Sequence, residues 1–340
     1  MLAFGMIGVA GYVAPRHMRA IKAIDGEMKV AFDPNDSVGT IDSYFPEADF
    51  FAEFERFARH LDNLRHRGEK LDWMSICSPN YLHDAHCRFS LRSGADVICE
   101  KPIVLNPWNL DALAKEQQAT GGRIFTIMQL RLHPLIERLK AQVDASRGKT
   151  FNVDLTYITP RGRWYHASWK GNEEKSGGIG TNIGIHLFDA LIHIFGLPMA
   201  NVVHLRDPNR AAGMLITQQA SIRWFLSIDR SDLPAGCKSS TLRSIVIDGE
   251  ELDLSDGFAD LHTRSYEEII AGRGFGLETT RPSIELATRL RRARLEPHRG
   301  DWHPFVARHL SNMVRIPCAR NKEVIGADSA AGVGANKQFA

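Results

Sequence analysis

The chain has 340 residues, 44% of them apolar and 24% charged, with a formal net charge of +2. That length exceeds one ordinary core and implies two domains. The near-neutral charge provides no global field for nucleic acid, and no apolar run approaches the roughly 18–20 residues that span a bilayer, so neither nucleic acid nor a membrane is an expected partner.

The first part alternates short apolar runs with helical patterns. "LAFGMIG" reads as a strand, and "APRHMRAIKAID" as a helix with Pro15 near its first turn. "MKVAFDP" is a second strand, and "FFAEFERFARHLDNLRHRG" a helix stopped by Gly68. "LDWMSICSPN", "ADVICEKP" and "RIFTIMQLR" are further strands, separated by the helices "YLHDAHCRFSLRSG" and "NPWNLDALAKEQQATGG". Such alternation predicts an α/β domain with a parallel sheet covered on both faces. Farther on, "TFNVDLTYITPRGRWY" is a strand running into a polar, aromatic loop. A Gly-rich loop, "SGGIGTNIGIH", leads into one apolar helix, and "NVVHLRD", "AGMLITQ", "ASIRWFLSID" and "LRSIVIDGEELDLS" are strand-like, the last with a tight Asp-Gly turn. The second domain is therefore expected to be α+β with a largely antiparallel open sheet. The boundaries are placed at 1–130, 131–300 and a partly mobile tail of 301–340.

The turn after the first strand is Gly8-Val9-Ala10-Gly11-Tyr12-Val13-Ala14. It matches the dinucleotide fingerprint imperfectly, since Ala10 and Val13 replace two of its small positions. Gly8 still supplies a tight turn and Gly11 a close backbone approach, with helix amides behind Tyr12 and Val13 for a pyrophosphate. The next strand ends in Asp33, a carboxylate placed to accept both ribose hydroxyls of an adenosine, so the expected cofactor is NAD in a Rossmann domain. Ligands of an open parallel sheet sit beyond the carboxyl ends of its strands. Those ends carry Ser78, Asn80 and His83, then Glu100 and Lys101 of "CEKP", then Gln129 and Arg131. Glu100 and Lys101 are expected to point toward the nicotinamide.

In the second domain Asn182, His186, Asp189 and His193 fall at spacings that put them on one face of a helix. No further acid–histidine cluster completes a metal shell, and no metal is expected. Oxidation of an alcohol needs a base for the hydroxyl proton, and His186 is a candidate. A nearby ammonium stabilises the developing alkoxide. The cysteines Cys77, Cys87, Cys99, Cys237 and Cys318 have no metal spacing, and three lie in or beside apolar segments. With no convincing secretory signal at the N-terminus, they suggest a reducing cytoplasm.

The residues Gly8 to Ala14, "SPNYLH", "EKP", "SWK" (Ser168, Trp169, Lys170) and "GGIGTNIGIHLFD" resemble the glucose-fructose oxidoreductase / inositol dehydrogenase / rhizopine-catabolism (Gfo/Idh/MocA) family over about residues 1–290. The resemblance implies that Lys101 and His186 serve the chemistry and that Trp169 and Lys170 join the cofactor site. Asn182 stands where most members carry aspartate. "DSYFPEADFF", "QLRLHP", "TYITPRGRWY", "RWFLSID", "GFADLHT" and "GFGLETTRPSIEL" further resemble the WlbA/WbpB branch. Its members oxidise C3 of a UDP-N-acetylated sugar uronate for surface polysaccharide. This implies a UDP-sugar uronate as substrate, tightly held NAD and a homotetramer packed through the second sheet. A substrate with a diphosphate and a carboxylate needs local cations, and "TPRGRWYHASWK" supplies Arg161, Arg163 and Lys170 beside Trp164, Tyr165 and Trp169. Arg131, Asn182, His262 and Thr263 complete the expected substrate wall. Which of His186 and Lys101 is the base stays open at this point. So do a dehydrogenase of inositol or a free sugar and a non-catalytic nucleotide sensor.

Overall fold

Six short runs, each buried almost throughout apart from the edge strand β3, form β1 (Ala3–Ile7), β2 (Glu27–Phe32), β3 (Asp49–Phe51), β4 (Trp73–Ile76), β5 (Asp96–Cys99) and β6 (Ile124–Thr126). They pair in parallel in the order β3-β2-β1-β4-β5-β6. Connecting them are α1 (Ala14–Ala23), α2 (Phe54–His66), α3 (His83–Arg92) and α4 (Pro107–Thr120). The strand order reverses at β1/β4, the switch point at which a doubly wound sheet opens its ligand crevice. The structure is a computed structural model and describes residues 1–146, 148–237, 239–253, 260–307 and 309. The short edge strand β3 was not expected, because Phe50 and Phe51 fit the apolar spacing of the helix that follows.

The second half contains α5 (Pro134–Ala145), β7 (Phe151–Ile158), α6 (Trp164–Ala167), α7 (Glu173–Ser176), α8 (Gly178–Asn182), α9 (Ile185–Phe195), β8 (Pro198–Arg206), β9 (Arg210–Thr217), β10 (Ala220–Ser227), β11 (Leu242–Ile247) and β12 (Glu250–Asp253). Its sheet runs β12-β11-β7-β10-β9-β8. All neighbours are antiparallel except β7 and β10, which run parallel along eight paired residues. Asp248 and Gly249, at φ of 49° and 92°, make the two-residue hairpin turn between β11 and β12. Helix α9 is apolar nearly all round and lies in the core, its Phe188 ring edge-on to Trp224 at 5.2 Å.

Two helices expected in neither domain, α10 (Leu261–Ile270) and α11 (Leu277–Arg292), return to the first sheet. Tyr266 and Ile269 of α10 join the core of Phe4, Met18 and Ile21, and Leu277, Ile284 and Ala287 of α11 join that of Leu110 and Ile124. The Thr126 amide donates to the Phe275 carbonyl at 2.8 Å. Division at residue 130 therefore follows the chain but not the packing. The start of the expected tail is folded as well: Val306 is fully buried, and Trp302 and Phe305 cover Phe225 and Leu205 on the outer face of the second sheet. Residues 310–340 lie outside the described residues, as does Cys318. Among the described residues no single helix is long and apolar enough to cross a membrane.

Candidate active site

A cleft of about 720 Å³ opens at the carboxyl edge of the first sheet. That is within the range of small-molecule and cofactor pockets. Its floor is the first turn. Gly8 has φ of +90°, and a Cβ there would lie 2.5 Å from the Ser78 nitrogen, so the strand edge approaches too closely for any side chain. A Cβ at Gly11 would meet the Gly8 carbonyl oxygen at 3.0 Å. Backbone crowding requires glycine at position 8 and leaves little room for a side chain at position 11, and the loop stays low enough for a ligand to cross it. Val13 precedes α1, and the exposed Tyr12 forms the rim with the Arg16 guanidinium 5.6 Å from its ring. Asp33 is buried, and its carboxylate accepts from the Ala10 amide at 2.9 Å and the Asn35 amide at 2.9 Å. This cradle fits a dinucleotide: a floor without side chains, a helix N-terminus and a carboxylate for ribose. Gly8→Ala is expected to weaken NAD binding roughly tenfold or more, because the new methyl group must displace the β1 turn from Ser78. Fluorescence titration of NAD checks it, and an unchanged Kd would contradict the cradle.

The other walls come from the β4, β5 and β6 ends, the segment after α6, α9 and α10. Ser78, Asn80, His83, Glu100, Lys101, Gln129, Trp169, Lys170, His186 and His262 all line the cleft. His83 braces the two loops, its Nδ1 against the Pro102 carbonyl at 2.7 Å and its Nε2 against the Ser78 carbonyl at 2.8 Å. Ser78 Oγ is 2.8 Å from His86 Nδ1. The Lys101–Pro102 peptide is cis. Gln129 presents a buried Oε1 with no partner among the described residues, an acceptor available to a bound carboxamide. Ser168 accepts from the Lys170 amide, and the Lys170 ammonium lies 4.2 Å from the centre of the Trp169 ring.

Lys101 Nζ donates to the Asn182 main-chain carbonyl at 3.1 Å, so β5 and α8 meet at the catalytic edge. Burial lowers its pKa, with the Glu100 charge opposing that shift. His186 is held well below its ordinary pKa by burial first and by the Lys101 charge second. It is therefore a neutral imidazole at physiological pH, with a buried Nδ1 that has no hydrogen-bond partner among the described residues. A neutral imidazole and an ammonium at one cleft edge are the two groups that an alcohol oxidation needs, one to accept a proton and one to stabilise an oxyanion.

Several expected residues lie elsewhere. Arg131 does not line the cleft. It is buried, and its Nε and Nη2 donate to both oxygens of Asp189 at 2.7 and 2.6 Å. It also donates to the Thr279 carbonyl and lies over Phe275, while Ser283 donates to the same Asp189. It serves as a clamp between the β6 end, α9 and α11. Asn182 and His186 do not share one helix face, since α8 ends at Asn182 and α9 begins 45° away. Gly184 permits the break, because a Cβ there would lie 2.6 Å from the Gly180 carbonyl oxygen. The Asn182 side chain instead joins Tyr165 Oη, at 2.8 Å, to Asn80 Nδ2, at 3.3 Å. Tyr165 is buried and lines a neighbouring recess that shares Lys170 with the cleft. Arg161 is exposed and donates to the Pro160 carbonyl, but its charge reaches Lys101 and Lys170. Arg163 is exposed at the start of α6, and Thr263 on α10 does not line the cleft.

Sequence reasoning did not single out Arg16, His17, His86 or Tyr266. His17 falls on the buried face of α1, and a histidine at an apolar position is the available signal. His17, His83 and His186 have pKa values lowered by burial, and His86 and His303 are lowered to about 4 from 6.5 by the same cause. Below about pH 6.5 the unfolded chain binds these protons before the folded chain does. Stability is thus complete above that pH and is lost as pH falls toward 4. His86 and His303 each contribute on the order of 3 kcal/mol, so the melting temperature is expected to drop by roughly 10 °C or more between pH 7 and pH 4. Thermal melts check this, and a flat profile would contradict it.

The family model described as an oxidoreductase family with an NAD-binding Rossmann fold matches residues 2–127, and the C-terminal alpha/beta domain of the same family matches 148–219. The chain belongs to the Gfo/Idh/MocA oxidoreductase family. Among solved structures it is similar to the WlbA (WbpB) dehydrogenase from Thermus thermophilus in complex with NAD and UDP-GlcNAcA. The identity is 46%, covering 90% of this chain and 100% of that one, with a TM-score of 0.86. The same Thermus enzyme in complex with NAD and alpha-ketoglutarate superposes with a TM-score of 0.87. The Bordetella pertussis WlbA dehydrogenase, at 18% identity and a TM-score of 0.71 over 86% of this chain and 94% of that one, shares the fold. A curated relative, the D-glucoside 3-dehydrogenase of Escherichia coli (strain K12), is 28% identical over 40% of this chain, and the aligned part spans only 39% of that protein's length. The first domain is thus an NAD-binding Rossmann domain, and the protein is an oxidoreductase.

Proposed function

We propose that the protein oxidises the C3 hydroxyl of UDP-N-acetylglucosaminuronic acid to the 3-keto sugar nucleotide, in the synthesis of a diacetamido mannuronic acid for surface polysaccharide. The observation that carries this reading is the union, in one cleft, of the Gly8–Asp33 cradle with Lys101 and His186. The likeness to a Thermus dehydrogenase bound to UDP-GlcNAcA supports the choice of sugar nucleotide. NAD held over the cradle supplies the hydride acceptor. His186, neutral through burial, accepts the hydroxyl proton. Lys101, fixed by the Asn182 carbonyl, orients the hydroxyl and stabilises the alkoxide. Lys170 and Arg161 provide positive charge beside them for the carboxylate and diphosphate. The Thermus complex with alpha-ketoglutarate supports a 2-oxo acid as second substrate: reduced NAD would supply the hydride for its keto carbon, and protonated His186 would return a proton to the keto oxygen. A cytoplasmic homotetramer packed through the second sheet belongs to the same proposal. Free UDP separates this reading from a dehydrogenase of inositol or a free sugar. It is expected to compete with the sugar nucleotide, and activity insensitive to UDP would overturn the assignment.

A further inference from the structure

Glu100 lines the cleft, and both of its carboxylate oxygens are held by neighbouring protein groups. Its Oε1 accepts from His17 Nε2 at 3.0 Å and from His262 Nε2 at 3.1 Å, and its Oε2 accepts from the Lys101 amide at 3.2 Å. His17 Nδ1 lies 2.8 Å from Tyr266 Oη, which lies 2.7 Å from Ser75 Oγ. One set of protons satisfies the whole chain without charging a histidine. Ser75 donates to Tyr266, Tyr266 donates to His17 Nδ1, and both imidazoles donate from Nε2 to Glu100. The three rings, the one carboxylate and the Ser75 hydroxyl come from four elements: α1, β4, the β5 end and α10. His17, Glu100 and His262 also lie close enough together to hold a cation, but these hydrogen bonds already account for each of their facing atoms.

We infer that Glu100 is a positioning residue: a fixed buried anion, held by α1 and α10, that keeps the adjacent Lys101 in its ammonium form and in place. Removing a carboxylate from such an interior leaves the ammonium without its nearest counter-charge. No salt bridge to Lys101 Nζ occurs among the described residues, so the Glu100 charge acts through its surroundings and not by direct contact. The groups that set the field are few. Glu100 is faced by His17 of α1, Cys77 after β4, His83 of α3, Cys99 of β5, His186 of α9, and His262 and Tyr266 of α10, and His83 faces Lys101 as well. Lys101 is faced by Tyr157 of β7, Arg161 beyond it, His186 of α9 and Lys170. Of these neighbours Glu100 is the one carboxylate. Burial and the cations lower the Lys101 pKa, and Glu100 opposes them.

The inference rests on the proposed function only for what Lys101 does, and the test reads Lys101 without any substrate. The amine of Lys101 is labelled competitively with acetic anhydride across pH, in the NAD-bound protein, and quantified by mass spectrometry. Glu100→Gln keeps the shape and an acceptor but loses the charge. It is expected to label Lys101 roughly fivefold faster than wild type at pH 7.5, because more of the amine is neutral. Tyr266→Phe breaks the proton chain but keeps the charge, and is expected to leave the labelling profile unchanged. Should Glu100→Gln not fold, Glu100→Asp draws the charge back by one carbon and is expected to move the profile in the same direction by less. A Glu100 variant with the wild-type profile, or Tyr266→Phe matching Glu100→Gln, overturns the inference and leaves the sugar-nucleotide reading untouched. Absence of turnover on the sugar nucleotide by the wild-type protein, with the labelling result intact, would count against that reading alone.

Discussion

Replacing His186 with asparagine is expected to lower kcat by roughly three orders of magnitude, the scale of a lost general base. Lys101→Met should cost a similar factor through the lost alkoxide stabilisation. Neither change should abolish NAD binding, because the cradle at Gly8, Gly11 and Asp33 lies at the other end of the cleft. The pH profiles separate the two roles. His186 acts deprotonated, so activity falls as pH drops through its lowered pKa. Lys101 acts as a cation, so activity falls as pH rises through its own lowered value. The asparagine variant should therefore lose the acid limb and the methionine variant the alkaline limb. An acid limb that survives in His186→Asn would reverse the assignment and make Lys101 the base.

The second large effect concerns stability. Arg131→Met is expected to destabilise the protein by about 3–5 kcal/mol, since it strands the buried Asp189 carboxylate without its bidentate partner. The double variant Arg131→Met with Asp189→Leu should recover much of that loss, because it leaves no uncompensated charge. Denaturant unfolding checks both. The KM for the sugar nucleotide should change little in the folded fraction. A large KM effect with unchanged stability would restore Arg131 to the substrate wall and contradict the clamp.

Arg131 shows where reading the sequence stopped. It follows Gln129 by two residues at the same strand end, and linear spacing gives both the same address. The turn after β6 aims Gln129 into the cleft and Arg131 toward α9, and that choice is made by Asp189, 58 residues away. The first domain was largely legible because β1, β2, β4 and β5 are short apolar runs with Gly, Asp or Pro just behind them, and because Asp33 and Glu100 follow their strands directly. Asn182 and His186 were read onto one helix because their spacing suits it. Gly184 is the signal for the break, and it lies inside the Gly-rich run that was read as leading into a single helix. The Glu100 hub was invisible for a different reason. His17, Tyr266 and His262 are separated from it by 83, 166 and 162 residues, and no local pattern joins α1 to α10. Likewise α11 carries Pro282 inside its span, which reads as a break, yet the helix continues to Arg292.

The most direct measurement is absorbance of the purified protein at the reduced-nicotinamide band, before and after adding UDP-N-acetylglucosaminuronate. A rise with that sugar nucleotide, and none with UDP-N-acetylglucosamine, is the result this account predicts, since it requires bound NAD, hydride transfer and the substrate carboxylate together. With NAD shown to be bound, no rise on adding the uronate would contradict it.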